Sequence, residues 1–328
     1  MTSFGTTEES GDKLSRPISF EVPACVLDTC YEYRGVVMPN HMSVRCMEAL
    51  EKFEVRPDDT FIISYPKSGT TWLQQMILLI RCEGNMSKLG AGHMMTMVPS
   101  LDMHDVVNYS DLSKAPVISD FAKGMPSPRL LKSHCHSDWL PAEIGTDDPK
   151  VKVIYVARNP KDNAVSLFHF CLLVSRLPFY KSWDVFIEEY MAGRVPYGPW
   201  FENVLPWWRR RNHPNVLFLK YEDMKKDHYG VVEQVARFMG KSLSNDVIEG
   251  IVEASSFRTM KQNQQSNPDT LLRKLNHLFK GRQKSDASFM RKGSVGDWKN
   301  YFSEEQNLRF DQLYGRKMAD SDLVFQFE

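Results

Sequence analysis

The chain has 328 residues, 42% hydrophobic and 12% aromatic, enough for a substantial core in one large domain or two small ones. Lys plus Arg and Asp plus Glu number 41 each, so the net charge is zero. No global electrostatic argument favours a nucleic acid or an acidic membrane as partner, and any anion must be held by local clusters.

Residues 1–18 are rich in Ser, Thr, Gly and Glu and read as a flexible tail without the apolar core of a signal peptide. From 20 to 58 the pattern is mixed. Val44, Met47, Leu50 and Phe53 can share one face of a short helix before the turn Arg56-Pro57-Asp58-Asp59. Phe61-Ile62-Ile63-Ser64-Tyr65 is an apolar run suited to a buried strand. It breaks at Pro66, turns at Ser68-Gly69, and continues as a helix with Trp72, Leu73, Met76, Ile77 and Ile80 at helical spacing. A strand, a tight loop and a helix N-terminus make an anion site, because the first-turn N–H groups and the helix dipole face the loop. Lys67 adds a positive charge, Thr70 and Thr71 add hydroxyls, and Gly69 allows close backbone approach. The spelling is not that of a Walker A loop, since the lysine precedes the glycine.

Residues 84–128 hold Met94, Met95, Met97 and Met103, which could line an adaptable pocket or simply fill core. Arg129–His134 reads as a second strand and Val151–Ala157 as a third. The third ends at Arg158-Asn159-Pro160-Lys161-Asp162, a helix start with Asn159 as N-cap, Pro160 at N1 and an acid at N3. Trp183–Met191 and Phe201–Arg211 read as helices, Asn215–Tyr221 as a fourth strand, and 230–239 and 244–254 as further helices. Residues 261–288 are polar and basic, with Leu271, Leu272, Leu275, Leu278 and Phe279 at helical spacing, a lid-like loop or a solvated surface loop. A second basic cluster, Arg291-Lys292-Gly293 through Trp298, precedes a final helix at about 303–318.

Alternating strands and helices predict an α/β fold, with a central parallel sheet flanked by helices in a single domain over 19–328. Ligands of such sheets bind beyond the carboxyl ends of the strands. Lys67, His134, Arg158 and Tyr221 all fall at or just past such ends. Six cysteines without a Cys-x-x-Cys pair point to reduced thiols and a cytoplasmic home. No apolar run reaches the ~18 residues of a membrane span. His134 and His136 share one face of a strand, but no further ligands stand at zinc spacing, so no metal is expected.

At Tyr65-Pro66-Lys67-Ser68-Gly69-Thr70-Thr71-Trp72 the chain resembles the cytosolic sulfotransferases. The likeness extends to Leu131-Lys132-Ser133-His134, Tyr155–Asp162 with Ser166, Tyr221-Glu222-Asp223-Met224, Ser255-Ser256-Phe257 and Phe289–Gly293 through Trp298, in the family's order over about residues 35–320. The resemblance implies an α/β enzyme that transfers a sulfuryl group from 3′-phosphoadenosine 5′-phosphosulfate to a hydroxyl or amine of a small, largely apolar acceptor such as a phenol or steroid. The product nucleotide would be adenosine 3′,5′-bisphosphate.

By that resemblance Lys67, Ser68, Gly69, Thr70 and Thr71 hold the 5′-phosphosulfate. Arg158, Ser166, Arg291, Lys292 and Gly293 hold the 3′-phosphate, where guanidinium groups suit phosphate geometry. Trp72, Tyr221 and Phe257 enclose the adenine, with Ser255 and Met290 nearby. His134 is the general base, and Lys132 and Lys67 stabilise charge on the sulfuryl oxygens and the departing phosphate. Phe170 and Phe168 help form the acceptor pocket. The family's C-terminal dimer motif is degenerate here, with Lys299 in place but Ser303-Glu304 and Leu308 at the later positions, which leaves a homodimer open.

Overall fold

The structure is a computed structural model that describes residues 15–89, 92–145, 151–274 and 288–328. Its centre is a parallel sheet of four strands, β4 (Thr60–Ile63), β5 (Leu130–Ser133), β6 (Lys152–Ala157) and β7 (Val216–Lys220), in spatial order β5-β4-β6-β7. Phe61 stands beside Leu131 on one side and Val153 on the other, and Tyr155 beside Phe218. Alternation across the pleat explains the nearly continuous apolar runs, because both faces are buried. Phe61, Ile63, Leu131, Val153 and Tyr155 enter one core, whereas Ile62, Leu130, Ile154 and Val156 enter the other.

Helix α1 (Val44–Glu51) precedes β4, and α2 (Thr70–Arg81) follows it. Helices α3 (Pro160–Leu173), α4 (Trp183–Met191) and α5 (Trp200–Arg209) lie between β6 and β7. After β7 come α6 (His228–Phe238), α7 (Asn245–Ala254), α8 (Pro268–Lys274) and α9 (Glu304–Met318). Buried residues of α3, α4 and α5 join the first core, and those of α2, α6 and α7 join the second. The start of α3 follows its sequence: Asn159 Oδ1 accepts the Asp162 N–H at 2.8 Å, and Pro160 occupies the first helical position. β4 has β5 on one side and β6 on the other, so the crevice beyond the carboxyl ends opens there.

Three features were not legible. A small antiparallel sheet joins β1 (Ser15–Arg16), β2 (Cys30–Tyr33) and β3 (Val36–Pro39), turning at Arg34-Gly35, where both residues have positive φ. Residues 1–14 of the expected tail lie outside the described residues, and Ser15–Arg16 pair with β2. The last residues pack inward through Leu323 and Phe325. Of the lid-like loop, 261–274 ends in α8 and buries Leu272, while 275–287 with Leu275, Leu278 and Phe279 lie outside the described residues. No helix among the described residues is long and apolar enough to cross a membrane.

Candidate functional site

The loop between β4 and α2 is held from below. Gly69 caps α2 at φ +106°, and a Cβ there would stand 2.7 Å from the Tyr221 ring. Only glycine lets that ring close on the turn. Lys67 takes φ +68°, a strained value for a residue with a side chain. Asn163 fixes it, donating from Nδ2 to the Pro66 carbonyl at 2.8 Å and to Ser68 Oγ at 3.1 Å. Tyr190 OH donates in turn to Asn163 Oδ1. Helix α2 has no side-chain cap, so its first-turn N–H groups remain available at the loop.

Beyond the sheet edge lies a cavity of about 370 Å³. His134 lines it one residue past β5. Its Nδ1 lies 2.9 Å from the Ser64 carbonyl oxygen, which can only accept, so the proton sits on Nδ1 and Nε2 is left as a bare lone pair. The His134 backbone N–H donates to Asp102, whose buried carboxylate also accepts from Ser133 and Ser100. Burial, chiefly, lowers the His134 pKa, with Lys132 and Lys67 adding to the effect and Asp102 opposing it. Burial likewise lowers the Lys132 pKa, against Asp102. The Lys67 ammonium sits 3.4 Å from the Phe289 ring centre and 4.4 Å from that of Phe170. Its pKa is pulled down to about 7, by burial first and then by Arg158.

The cavity wall also carries Arg158, Arg291 and Lys292. Arg158, just past β6, stacks on Tyr221 at 4.5 Å and donates to the Ser294 carbonyl at 2.8 Å. Arg291 and Lys292 both pair with Asp297 at 2.5 Å. Gly293 has φ +65°, and a Cβ would stand 2.6 Å from the Phe257 ring. The segment is tied to the start of α3, because the Asp162 carboxylate accepts from Gly296 N–H at 2.8 Å and Trp298 N–H at 3.0 Å. Trp72 meets Tyr221 edge-on at 5.6 Å between centroids, and its Nε1 is buried without a partner among the described residues. Asp269, in α8, accepts from Phe289 N–H at 2.7 Å and Ser288 OH at 2.6 Å, which fixes Phe289 over Lys67.

The cavity thus gathers Lys67, Gly69, Thr70, Thr71, Trp72, Lys132, His134, Arg158, Ser166, Phe170, Tyr221, Phe257, Met290, Arg291, Lys292 and Gly293 on one surface. Three expected residues do not line it. Phe168 faces the opposite side of α3 and packs edge-on against Trp183 in the core, so it does not join the acceptor pocket. Ser68 is buried under the loop beside Asn163, and Ser255 is buried with its hydroxyl 3.0 Å from His228 Nε2. Met95 and Met103 line the cavity, whereas Met94 is core. His136 stacks on Trp139 and places Nε2 3.2 Å from the Tyr197 carbonyl oxygen. Among the described residues no three His, Cys, Asp or Glu side chains form a metal-binding group. His41, Asp102, Tyr197, His228 and Phe289 also line the cavity and were not anticipated. Only Tyr197 stood beside a local signal, the turn dipeptide Gly198-Pro199, and both Tyr197 and Gly198 take positive φ.

A model of the sulfotransferase domain matches residues 57–322. Sulfotransferase 1A1 of Bos taurus is 39% identical over 280 residues, covering 85% of this chain and 90% of that protein. Human sulfotransferase 1C2 is 37% identical over 279 residues, covering 85% and 89%. The crystal structure of mouse sulfotransferase SULT7A1 complexed with PAP superposes with TM-score 0.71 at 34% identity, covering 89% of this chain and 95% of that one. Retinol dehydratase in complex with androsterone and inactive cofactor PAP superposes with TM-score 0.79 at 28% identity, covering 90% and 91%.

Proposed function

The chain belongs to the sulfotransferase family, and on that premise we propose that it carries a sulfuryl group from 3′-phosphoadenosine 5′-phosphosulfate to a hydroxyl or amine of a small, largely apolar acceptor, with His134 as general base. The observation that carries the proposal is the orientation of His134: the Ser64 carbonyl holds its Nδ1 proton, and its Nε2 lone pair shares a cavity with Lys67 and Lys132.

The residues present fit the donor. It has two anionic ends, and the cavity wall carries two sets of cations from different parts of the chain, Lys67 past β4 with Lys132 in β5, and Arg158, Arg291 and Lys292. Glycine at 69 and 293 lets the Tyr221 and Phe257 rings pack directly on the two turns, since a Cβ at either would strike its ring. In this reading Lys67, Gly69, Thr70 and Thr71 hold the 5′ end, and Arg158, Ser166, Arg291, Lys292 and Gly293 the 3′-phosphate. Trp72, Tyr221, Phe257 and Met290 enclose the base. Ser68 and Ser255 act one layer back, through Asn163 and His228. The donor supplies the electrophilic sulfur and a phosphate leaving group. His134 Nε2 takes the proton of the acceptor hydroxyl. Lys132 and Lys67 offset negative charge on the sulfuryl oxygens and the departing phosphate, an effect worth about 3–4 kcal/mol per donor.

Phe170, Phe289, Met103 and Tyr197 make the acceptor end mainly apolar. Buried thiols at Cys30, Cys46, Cys82 and Cys135 support a cytosolic home. The test is transfer of labelled sulfate from saturating donor to a panel of phenols, sterols and amines. Transfer to at least one apolar phenol or alcohol is expected. Binding of adenosine 3′,5′-bisphosphate with no transfer to any of the panel would overturn the proposal.

A further inference from the structure

Three histidines meet here: His104 and His134, with Asp102, lie close enough to His41 to act on its proton affinity. Two are engaged. His104 contacts Ser43 Oγ through Nε2 at 2.8 Å and the Ala115 carbonyl through Nδ1 at 2.9 Å. His134 gives its Nδ1 proton to Ser64. His41 differs. Its ring lines the cavity and is only 7% exposed, yet Nδ1 is buried with no partner. Neither ring nitrogen hydrogen-bonds a described residue, and the cavity wall includes the apolar side chains Met42, Met103, Phe170, Tyr197 and Phe289 beside the polar Ser100, Asp102 and His134.

A buried polar atom without a partner requires an explanation. Burial, with Arg176 next, pulls the His41 pKa down to about 4, so the ring is neutral and one nitrogen carries the single proton. An orphaned N–H is rarer in folded proteins than an unused lone pair. The buried Nδ1 is therefore the bare nitrogen, and Nε2–H is the donor left for the cavity.

We propose that His41 is a specificity-determining residue that donates from Nε2 to a second oxygen of the acceptor, remote from the reacting hydroxyl. The acceptor class is then an apolar molecule with two oxygens, a hydroxyl directed to His134 and a carbonyl, ether or hydroxyl oxygen at the far end. This inference rests on the sulfuryl-transfer reading of the cavity. Ser100, Asp102 and His134 line the same cavity without bonding this donor, so an acceptor that covers it and lacks the second oxygen leaves an N–H unmet.

The probes are 4-alkylphenols and the matched phenols bearing a ketone at the chain's far end, over a series of lengths. At the best length the wild type is expected to favour the ketone about five- to tenfold in kcat/KM, mainly through KM, the range for one neutral hydrogen bond and its unmet donor. His41→Leu is expected to bring that ratio to about one, and His41→Asn, which keeps an N–H donor, to retain part of it. The same pairs are titrated onto the complex with adenosine 3′,5′-bisphosphate by tryptophan fluorescence. That binding ratio reads His41 even if no phenol is sulfated, which would be a failure of the transfer reading alone. Equal binding of ketone and alkyl probes by the wild type, binding of neither, or a preference that survives His41→Leu overturns the role of His41.

Discussion

At His134 burial, aided by two lysines, favours the neutral ring over the imidazolium. Protonation disables a base, so kcat/KM is expected to fall as pH falls, with a midpoint below the ordinary imidazole value of about 6.5. A pH profile of kcat/KM checks this, and a midpoint above that value would contradict it. His134→Ala is expected to lower kcat by about 10²- to 10⁴-fold while leaving the Kd for adenosine 3′,5′-bisphosphate unchanged. Lys67, pulled down to about 7, titrates near neutrality in the free protein. An anion bound beside it favours the ammonium form, so nucleotide binding at about pH 8 is expected to take up a proton. Calorimetry in buffers of different ionisation enthalpy reads that uptake, and Lys67→Met should abolish it. Both residues were legible because each follows an apolar strand, His134 directly and Lys67 in the turn beyond it. Asp102 and His41 were not, because they lie in short, irregular segments where no period separates a cavity wall from core.

The start of α3 shows how local chemistry fixes an element. Asn159 caps the helix, and its Nδ2 also donates to Asp162 at 2.9 Å and to the buried Glu222 at 3.0 Å. Burial pushes the Glu222 carboxyl up to about 7, with the Asn159 hydrogen bonds opposing the rise. Asn159→Ala therefore removes a cap and strips partners from two buried acids. A loss of about 2–3 kcal/mol is expected, above the ~1 kcal/mol of an ordinary cap. It should appear as a lower denaturant midpoint with an unchanged slope. This helix start was legible since Asn-Pro-x-Asp spells out cap, first turn and acid in consecutive positions. Strands β4 to β7 were legible as apolar runs. The β1–β3 sheet was not, because β2 is only four residues long, mixes buried and half-buried positions, and turns through Arg34-Gly35, a dipeptide outside the common hairpin signals.

Across the whole molecule, one cavity is walled by residues from His41 to Ser294, separated along the chain by most of its length. On the proposed reading, nucleotide bound there would bridge the loop after β4, the start of α3 and the segment around Gly293, and would favour the folded form alone. At a hundredfold excess over Kd the gain is about 2.7 kcal/mol, and melting should rise by several degrees. Differential scanning fluorimetry checks this, and Arg158→Ala should erase most of the rise. The parallel order that creates the crevice could be read as a class from alternating strands and helices. Which side of β4 each neighbour takes could not, since that depends on crossovers that local pattern does not encode. Asp297 gives the assembly one further property. Arg291 and Lys292 share one internal counter-ion, which offsets one of their two charges, so on the proposed reading an incoming phosphate would compete with a resident carboxylate for the same cations. Such a rival would moderate retention of the spent nucleotide and hasten its departure, and Asp297→Asn is expected to slow nucleotide release in a stopped-flow measurement.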